Sequence, residues 1–202
     1  MLGRNILRHI NEFRRYLRNF KYEVTDEGIY FAKAGALVRG TYEHWVAGSE
    51  SELVQDHNLI TNEGLSHFLD VALVAGTALD PWYIALHSGT GNPTATTTAL
   101  NYNSTLNEIT SPTEGYSEAT RQQWQGDAVD TVNTEVVNDT TPAVFTIATA
   151  SSLAVNGAAM LSESAKGNTN GVLVSAVKFA TTRNLSNGDE FNVKYKVDAD
   201  AV

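Results

Sequence analysis

The chain contains no cysteine and has no long apolar run. None of its 202 residues is Cys, which excludes disulfides, thiolate metal ligands and cysteine nucleophiles, and fits assembly in a reducing cytoplasm. No uninterrupted apolar stretch reaches the roughly 18 residues that a membrane-spanning helix needs. Arg4 and Arg8 lie near the N-terminus, but neither an apolar h-region nor a small-residue cleavage site follows them. We therefore expect no signal peptide and no membrane association.

Motifs for catalysis and for metal or phosphate binding are also missing. The histidines show no His-x3-His spacing, and they lie at positions 9, 44, 57, 67 and 87. The Gly-rich stretch 88–93 lacks the Lys-Ser/Thr pair of a phosphate loop, and the chain has no Gly-x-Ser-x-Gly elbow. Asp56, Glu63 and Asp70 are explained by turn or helix-cap roles rather than by a glycosidase pair. The sequence predicts no enzyme, no metal site and no cofactor.

Composition and charge indicate a globular body with an oppositely charged N-terminal segment. Hydrophobic residues make up 42% of the chain and charged residues 18%, as in an ordinary folded domain. The net charge is −9, yet residues 1–23 carry six basic and two acidic residues, which leaves −13 for the remainder. An acidic body argues against direct nucleic-acid binding, because phosphate contacts need clustered Lys and Arg.

Residues 1–22 are predicted to form an amphipathic helical arm. Six apolar residues recur at intervals of three and four, and four arginines fall on the opposite face. These ten candidate interaction residues are Leu2, Ile6, Ile10, Phe13, Leu17 and Phe20, with Arg4, Arg8, Arg15 and Arg18. Three interpretations remain open: a helix packed on its own domain, an interaction helix that docks on a neighbouring subunit, and a membrane-surface or nucleic-acid-binding helix.

Residues 23–202 are predicted to form one mainly β domain. A helix is expected at about 62–75, capped by Thr61 or Asn62 and ended by Gly76 at positive φ, with a buried strand from Trp82. Residues 88–119 read as one long polar surface loop. Short apolar runs separated by Gly and Asn turns follow, which predicts an antiparallel β-sandwich, jelly-roll or immunoglobulin-like, with one internal helix.

Eight ordered segments between residues 39 and 198 resemble a family of small structural proteins from tailed bacteriophages. The stretch Asn58-Leu-Ile-Thr-Asn-Glu-Gly-Leu and the strand Trp82-Tyr-Ile-Ala-Leu carry the resemblance most clearly. The others are Arg39-Gly-Thr-Tyr, Tyr116-Ser-Glu-Ala-Thr-Arg-Gln, Ala143-Val-Phe-Thr-Ile, Gly157-Ala-Ala-Met-Leu, Lys166-Gly-Asn-Thr-Asn-Gly-Val-Leu and Gly188-Asp-Glu-Phe-Asn-Val-Lys-Tyr. The N-terminal helix has no counterpart in the family pattern.

The resemblance implies a virion component without enzymatic activity, assembled in the host bacterial cytoplasm. Its partners would be copies of itself and other virion proteins, namely the major capsid, portal or neck proteins. The first expectation is a head decoration or cement protein. Alternatives are a neck or collar protein at the head–tail junction and a tail or fibre component.

A carbohydrate-binding module is the other non-enzymatic alternative. Its site would be exposed aromatics in the 88–119 loop, Tyr102 and Tyr116, although the same two residues could instead anchor that loop to the body. The caps and spacing of residues 58–86 are explained by folding alone. The sequence therefore places the working surface on the N-terminal helix and the polar loop.

Overall fold

The computed structural model describes residues 22–25, 28–31 and 36–201, with side chains for 37–200. The chain divides into two compact units, Met1–Leu37 with Asp200–Val202, and Val38–Ala199. In the first unit, β1 (Tyr22–Thr25) and β2 (Gly28–Phe31) form an antiparallel hairpin. The predicted helix over residues 2–20 lies outside the described residues.

The second unit is mainly β and contains two antiparallel sheets packed together. The six strands of the first sheet are β3 (Ala36–Val46), β4 (Val54–His57), β7 (Gly115–Tyr116), β9 (Glu135–Val137), β10 (Ala143–Ala148) and β13 (Glu190–Ala201). Their order is β4-β3-β13-β10-β7, and β9 also pairs with β13. This confirms the mainly β prediction and the two-sheet architecture.

The second sheet has five strands and carries two short helices. Its strands are β5 (Leu59–Ile60), β6 (Trp82–His87), β8 (Gln122–Trp124), β11 (Leu153–Leu161) and β12 (Leu173–Leu185), in the order β5-β12-β11-β6-β8. The helices are α1 (Asn62–Leu73) and α2 (Ala99–Leu106). A single 3-10 turn covers Glu50–Glu52.

The main core lies between the two sheets. In β10 the inward residues Phe145 and Ile147 are buried and alternate with more exposed neighbours, as a strand with one core-facing side requires. Phe145 is directly opposite Phe191 of β13, and Tyr42 stacks on Tyr195 with ring centroids 4.3 Å apart. Both rings of the Tyr pair are fully buried.

A second, smaller core covers the outer face of the five-stranded sheet. Ala85, Ala159 and Ala176 are cross-strand neighbours on β6, β11 and β12, and together they form a row of small side chains. Tyr102 and Leu106 of α2 belong to the same buried cluster. Because β11 is covered on both faces, residues 155–161 are all buried instead of alternating between buried and exposed.

Two predictions about the connections were wrong. The structure has two helices in the body, and the second lies inside the predicted 88–119 surface loop. The polar composition hides a capped helix, since the Asn101 side chain accepts from the Thr98 N–H at 2.9 Å. The end of α1 was also misassigned: Ala75 adopts the positive φ of 59° that was expected at Gly76.

Candidate functional site

The structure brings together an exposed apolar surface on α1 that sequence reasoning assigned only to folding. We define this apolar stripe as Leu65, Leu69, Ala72 and Leu73 of α1 together with Val74, which follows directly as the C-cap residue. The exposed fractions are 38% for Leu65, 58% for Leu69, 76% for Leu73 and 73% for Val74. At about 100° per residue, positions 65, 69, 72 and 73 fall on one side of the helix.

The opposite side of α1 faces the five-stranded sheet. The Thr61 hydroxyl accepts from the Gly64 N–H at 3.0 Å and caps the helix, while it also donates to the Leu173 carbonyl of β12. Gly64 is buried, and a Cβ there would lie 2.6 Å from the Val174 carbonyl oxygen. Phe68 packs against the main core. Because Gly64 has no side chain, α1 can approach the sheet closely on this side. The apolar stripe on the other side of the helix stays exposed.

A carboxylate fixes α1 against its neighbours. Glu63 accepts from the Ala99 N–H at the start of α2 at 2.8 Å and from the Leu173 N–H of β12 at 2.7 Å. Three elements therefore meet at one side chain, and the orientation of α1 on the sheet is set at its N-terminal end. The stripe is presented by a helix whose position is fixed by the fold.

The stripe lies in a long segment without basic residues. No Lys or Arg occurs between residues 40 and 120, whereas ten Asp and Glu residues do. Asp70 of α1 and Asp80, seven residues after the helix, are exposed. The segment that carries the stripe therefore suits a partner that combines apolar and cationic groups.

The signal for this surface was available in the sequence. Residues 64, 68 and 71 form one helical stripe, and residues 65, 69, 72 and 73 form an adjacent one. A helix of twelve residues on a sheet buries only one of two such stripes. The close approach at Gly64 determines which of these two stripes is turned towards the sheet. This is a tertiary contact, and the periodicity of the sequence does not predict it.

None of the predicted interaction residues lies within the described part of the chain. This holds for the apolar set Leu2, Ile6, Ile10, Phe13, Leu17 and Phe20 and for the arginines Arg4, Arg8, Arg15 and Arg18. Their role stays a prediction.

The proposed aromatic carbohydrate site is contradicted by burial. Tyr102 and Tyr116 are 1% and 0% exposed. Tyr102 lies edge-on to His87, and Tyr116 lies edge-on to Phe145 at 4.9 Å between ring centroids. Burial raises the pKa of both phenols well above the ordinary value of 10.0. Both rings anchor the 88–119 segment to the body, which was the alternative reading of the same residues.

His44 forms a buried polar cluster with Asp56 and Arg183. The Arg183 Nε donates to His44 Nδ1 at 3.1 Å, so the imidazole proton resides on Nε2, which donates to Asp56 at 2.9 Å. Burial lowers the pKa of His44 and the Arg183 charge acts in the same direction, while the Asp56 hydrogen bond opposes them. The ring stacks on Phe179 at 3.8 Å. No hydroxyl or thiol nucleophile contacts this described cluster, and its groups hold β3, β4 and β12 together.

Arg121 and Glu108 form a fully buried ion pair. The guanidinium binds the carboxylate with two bonds of 2.7 and 2.8 Å and also donates to the carbonyls of Glu163 and Asn168. Glu108 further accepts from the Gly167 N–H at 3.0 Å. Because every bond joins one loop to another, this pair organises the connections at 108–121 and 163–168.

A groove of about 510 Å³ is formed by residues of these same connections. It is lined by Thr110, Pro112, Ser117, Glu118, Ala119, Thr120, Ala165 and Lys166. Lys166 Nζ donates to the Tyr116 carbonyl at 2.8 Å and lies 3.4 Å from that ring centroid, and the Glu118 carboxylate accepts from the Thr146 N–H. Both charged side chains are already engaged within the fold.

The carboxylates and histidines considered for metal binding or glycoside hydrolysis have separate structural roles. His57 contacts the Thr41 hydroxyl at 3.2 Å, and His67 lies edge-on to Trp82. Asp56 binds His44, and Glu63 accepts backbone bonds. Among the described residues, no group of three His, Cys, Asp or Glu side chains could hold a metal ion.

Two further findings bear on identity. Within the described ranges, none of the helices has both the length and the hydropathy that crossing a bilayer requires. Comparison of the chain with protein-family models, with curated proteins and with solved structures finds no match.

Proposed function

We propose that this protein is a non-enzymatic structural component of a tailed-bacteriophage virion, and that it is a head decoration or cement protein that binds the capsid shell. The class is supported by the ordered segments that resemble the phage family. Several of them coincide with framework strands: Trp82–Leu86 lies on β6, Ala143–Ile147 on β10 and Gly157–Leu161 on β11.

The observation that carries an assembly role is the exposed apolar stripe on α1. Leu69, Leu73 and Val74 are each more than half exposed, and burial of apolar surface contributes about 25 cal/mol per Å². A contact of modest size becomes effective when symmetry repeats it many times over a shell. Copies of this chain and the major capsid, portal or neck proteins are the partners in this proposal.

The finer architecture belongs to the same proposal. We infer a jelly-roll or immunoglobulin-like sandwich, and the support is that β13 lies beside β3 in the six-stranded sheet. A last strand that returns next to the first long strand is typical of Greek-key sandwiches.

Labelling of intact particles tests the proposed position. Antibodies raised against the purified protein, coupled to gold, are applied to phage particles that carry the gene, with pre-immune serum as the control. We expect label distributed over the whole head. Label confined to one vertex would instead indicate a neck or collar protein, and label on the tail would indicate a tail or fibre component.

Two results would contradict the virion proposal itself. One is absence of the protein from purified particles by mass spectrometry, although it is present in the infected cell. The other is release of soluble fragments from peptidoglycan or glycans by the purified protein, which would indicate an enzyme.

A further inference from the structure

We propose that the apolar stripe of α1 is the docking site for the N-terminal segment, residues 2–20, of a second copy of this protein. The inference rests on the proposed assembly function and deepens it by naming the partner. The contact is heterologous, because a segment of one copy meets the body of the next.

The stripe has no partner among the described residues of its own body. The buried and half-buried side of α1 already faces β12 through Gly64 and the core through Phe68. On the other side, Leu69 and Leu73 are 58% and 76% exposed. Adjacent apolar side chains on one rigid helix form a contiguous patch, and such patches mark interaction sites.

The N-terminal segment has the complementary apolar pattern. Its apolar residues are spaced by 4, 4, 3, 4 and 3 residues from Leu2 to Phe20, which predicts one continuous helical stripe. The stripe on α1 has the same type of spacing, from Leu65 through Leu69 to Leu73. Two such stripes can pack side by side with ridges in grooves, at a crossing angle of about 20° or 50°.

Charge favours the same occupant. The segment 1–23 carries a net charge of +4, whereas α1 lies within residues 40–120, which contain ten acidic and no basic residues. Arginines that flank an apolar helical face would approach Asp70 and Asp80. The N-terminal segment therefore carries a charge opposite in sign to that of the segment that contains α1.

Two other modes of self-association fit less well. Pairing of α1 with α1 of a second copy would bring the Asp70 carboxylates of two acidic segments together, which is unfavourable. Addition of strands at a sheet edge is disfavoured because the edge strands of the two body sheets are short: β4 has four residues, β8 and β9 three each, and β5 and β7 two each.

The absence of cysteine permits a direct test with the full-length protein. Phe13→Cys is made in one preparation and Leu69→Cys in a second, and the two are mixed under mild oxidation, with a size tag on one of them. Each chain then holds a single thiol, so a mixed disulfide joins two molecules. Val132→Cys, in a loop and 88% exposed, is the matched control for Leu69→Cys, and Arg8→Cys is the control for Phe13→Cys.

We expect the mixed Phe13→Cys and Leu69→Cys dimer to form at least about tenfold faster than either control pair, because docking raises the effective thiol concentration. Adding Leu73→Glu to the Leu69→Cys chain changes an exposed residue and should remove most of this advantage. Far-UV circular dichroism of each variant verifies that the fold is retained.

Three results would overturn the inference. They are equal rates with Leu69→Cys and Val132→Cys, preferential formation of Leu69→Cys homodimers, and a disulfide confined within single chains of a Phe13→Cys/Leu69→Cys double variant. The last two would show the stripe pairing with itself and the segment binding its own body. Since the assay uses the purified protein alone, it can fail while particle labelling succeeds, and the reverse also holds.

Discussion

His87 shows at the scale of one residue how the core depends on protonation. The imidazole is fully buried, and Nε2 donates to the Val177 carbonyl at 2.9 Å. Burial lowers its pKa from 6.5 to about 4, against the opposing effect of that hydrogen bond. The folded protein therefore holds His87 neutral at a pH where the unfolded chain begins to bind a proton.

We predict a loss of stability as the pH falls from about 6.5 towards 4. Because the pKa of His87 is lower in the folded state than in the unfolded state, its full contribution to the free energy of unfolding is present above the unfolded-state pKa. About 2 kcal/mol of this free energy is lost between about pH 7.5 and pH 5. Urea denaturation at both pH values measures the change. His87→Gln keeps a donor for Val177 but does not titrate. The stability that this variant loses on acidification should therefore be about 2 kcal/mol smaller than in the parent protein.

His57→Gln is the matched control, because His57 is exposed. The role of His87 is supported only if the loss on acidification is smaller in His87→Gln than in His57→Gln. His44, whose pKa burial also lowers, contributes a loss of the same sign that remains in both variants. If His87→Gln and the parent protein lose equal stability on acidification, the assigned role of His87 is wrong.

Elements show where sequence reasoning was sufficient and where it was not. Thr61 and the apolar spacing after it predicted α1, since capping and periodicity are local properties. The buried strands β6, β10, β11, β12 and β13 were predicted by β-forming runs between turns. In contrast, α2 was missed because eight residues with two Asn, one Ser and one Thr have weak helical propensity, and burial of Tyr102 and Leu106 overrides it.

The candidate site was the least predictable part. Sequence periodicity established that Leu65, Leu69 and Leu73 share a helix face, but it could not establish that this face is turned away from the sheet. That outcome depends on contact between Gly64 of α1 and the backbone of Val174, which is 110 residues further along the chain. Local patterns carry no information about such a contact.

Gly64→Ala tests this packing of α1 on the sheet. In an ordinary helix interior the change would stabilise the protein by about 0.5–1 kcal/mol. Here the added Cβ would lie 2.6 Å from the Val174 carbonyl oxygen and 2.7 Å from its Cα, so we expect destabilisation of about 1–3 kcal/mol by overpacking. Thermal and urea denaturation measure whether Gly64→Ala raises or lowers the stability.

Ser66→Ala, on the exposed side of the same helix, is the control and should be neutral or slightly stabilising. A stabilising Gly64→Ala would show that α1 does not contact the sheet as described.

At the scale of the whole molecule, we propose that the body and the N-terminal segment have separable roles. Both buried clusters consist of residues between Tyr42 and Tyr195, and the body has the framework ion pair of Arg121 and Glu108. The net charge of the body is opposite in sign to that of residues 1–23. A folded acidic body with a basic apolar segment is an arrangement in which folding and assembly can be changed independently.

Deletion of residues 1–21 is therefore expected to leave a folded body that no longer joins particles. The truncated protein should unfold cooperatively in urea with a nearly unchanged midpoint, because the clusters named above remain intact. A full-length variant with Ser at the six apolar positions, Leu2, Ile6, Ile10, Phe13, Leu17 and Phe20, is the control for chain length, and it should also fold and fail to incorporate.

An unfolded truncated body would show that the segment belongs to its own domain. A truncated protein that still incorporates into particles would instead exclude the segment as the assembly element, and would leave the stripe on α1 to bind a different partner.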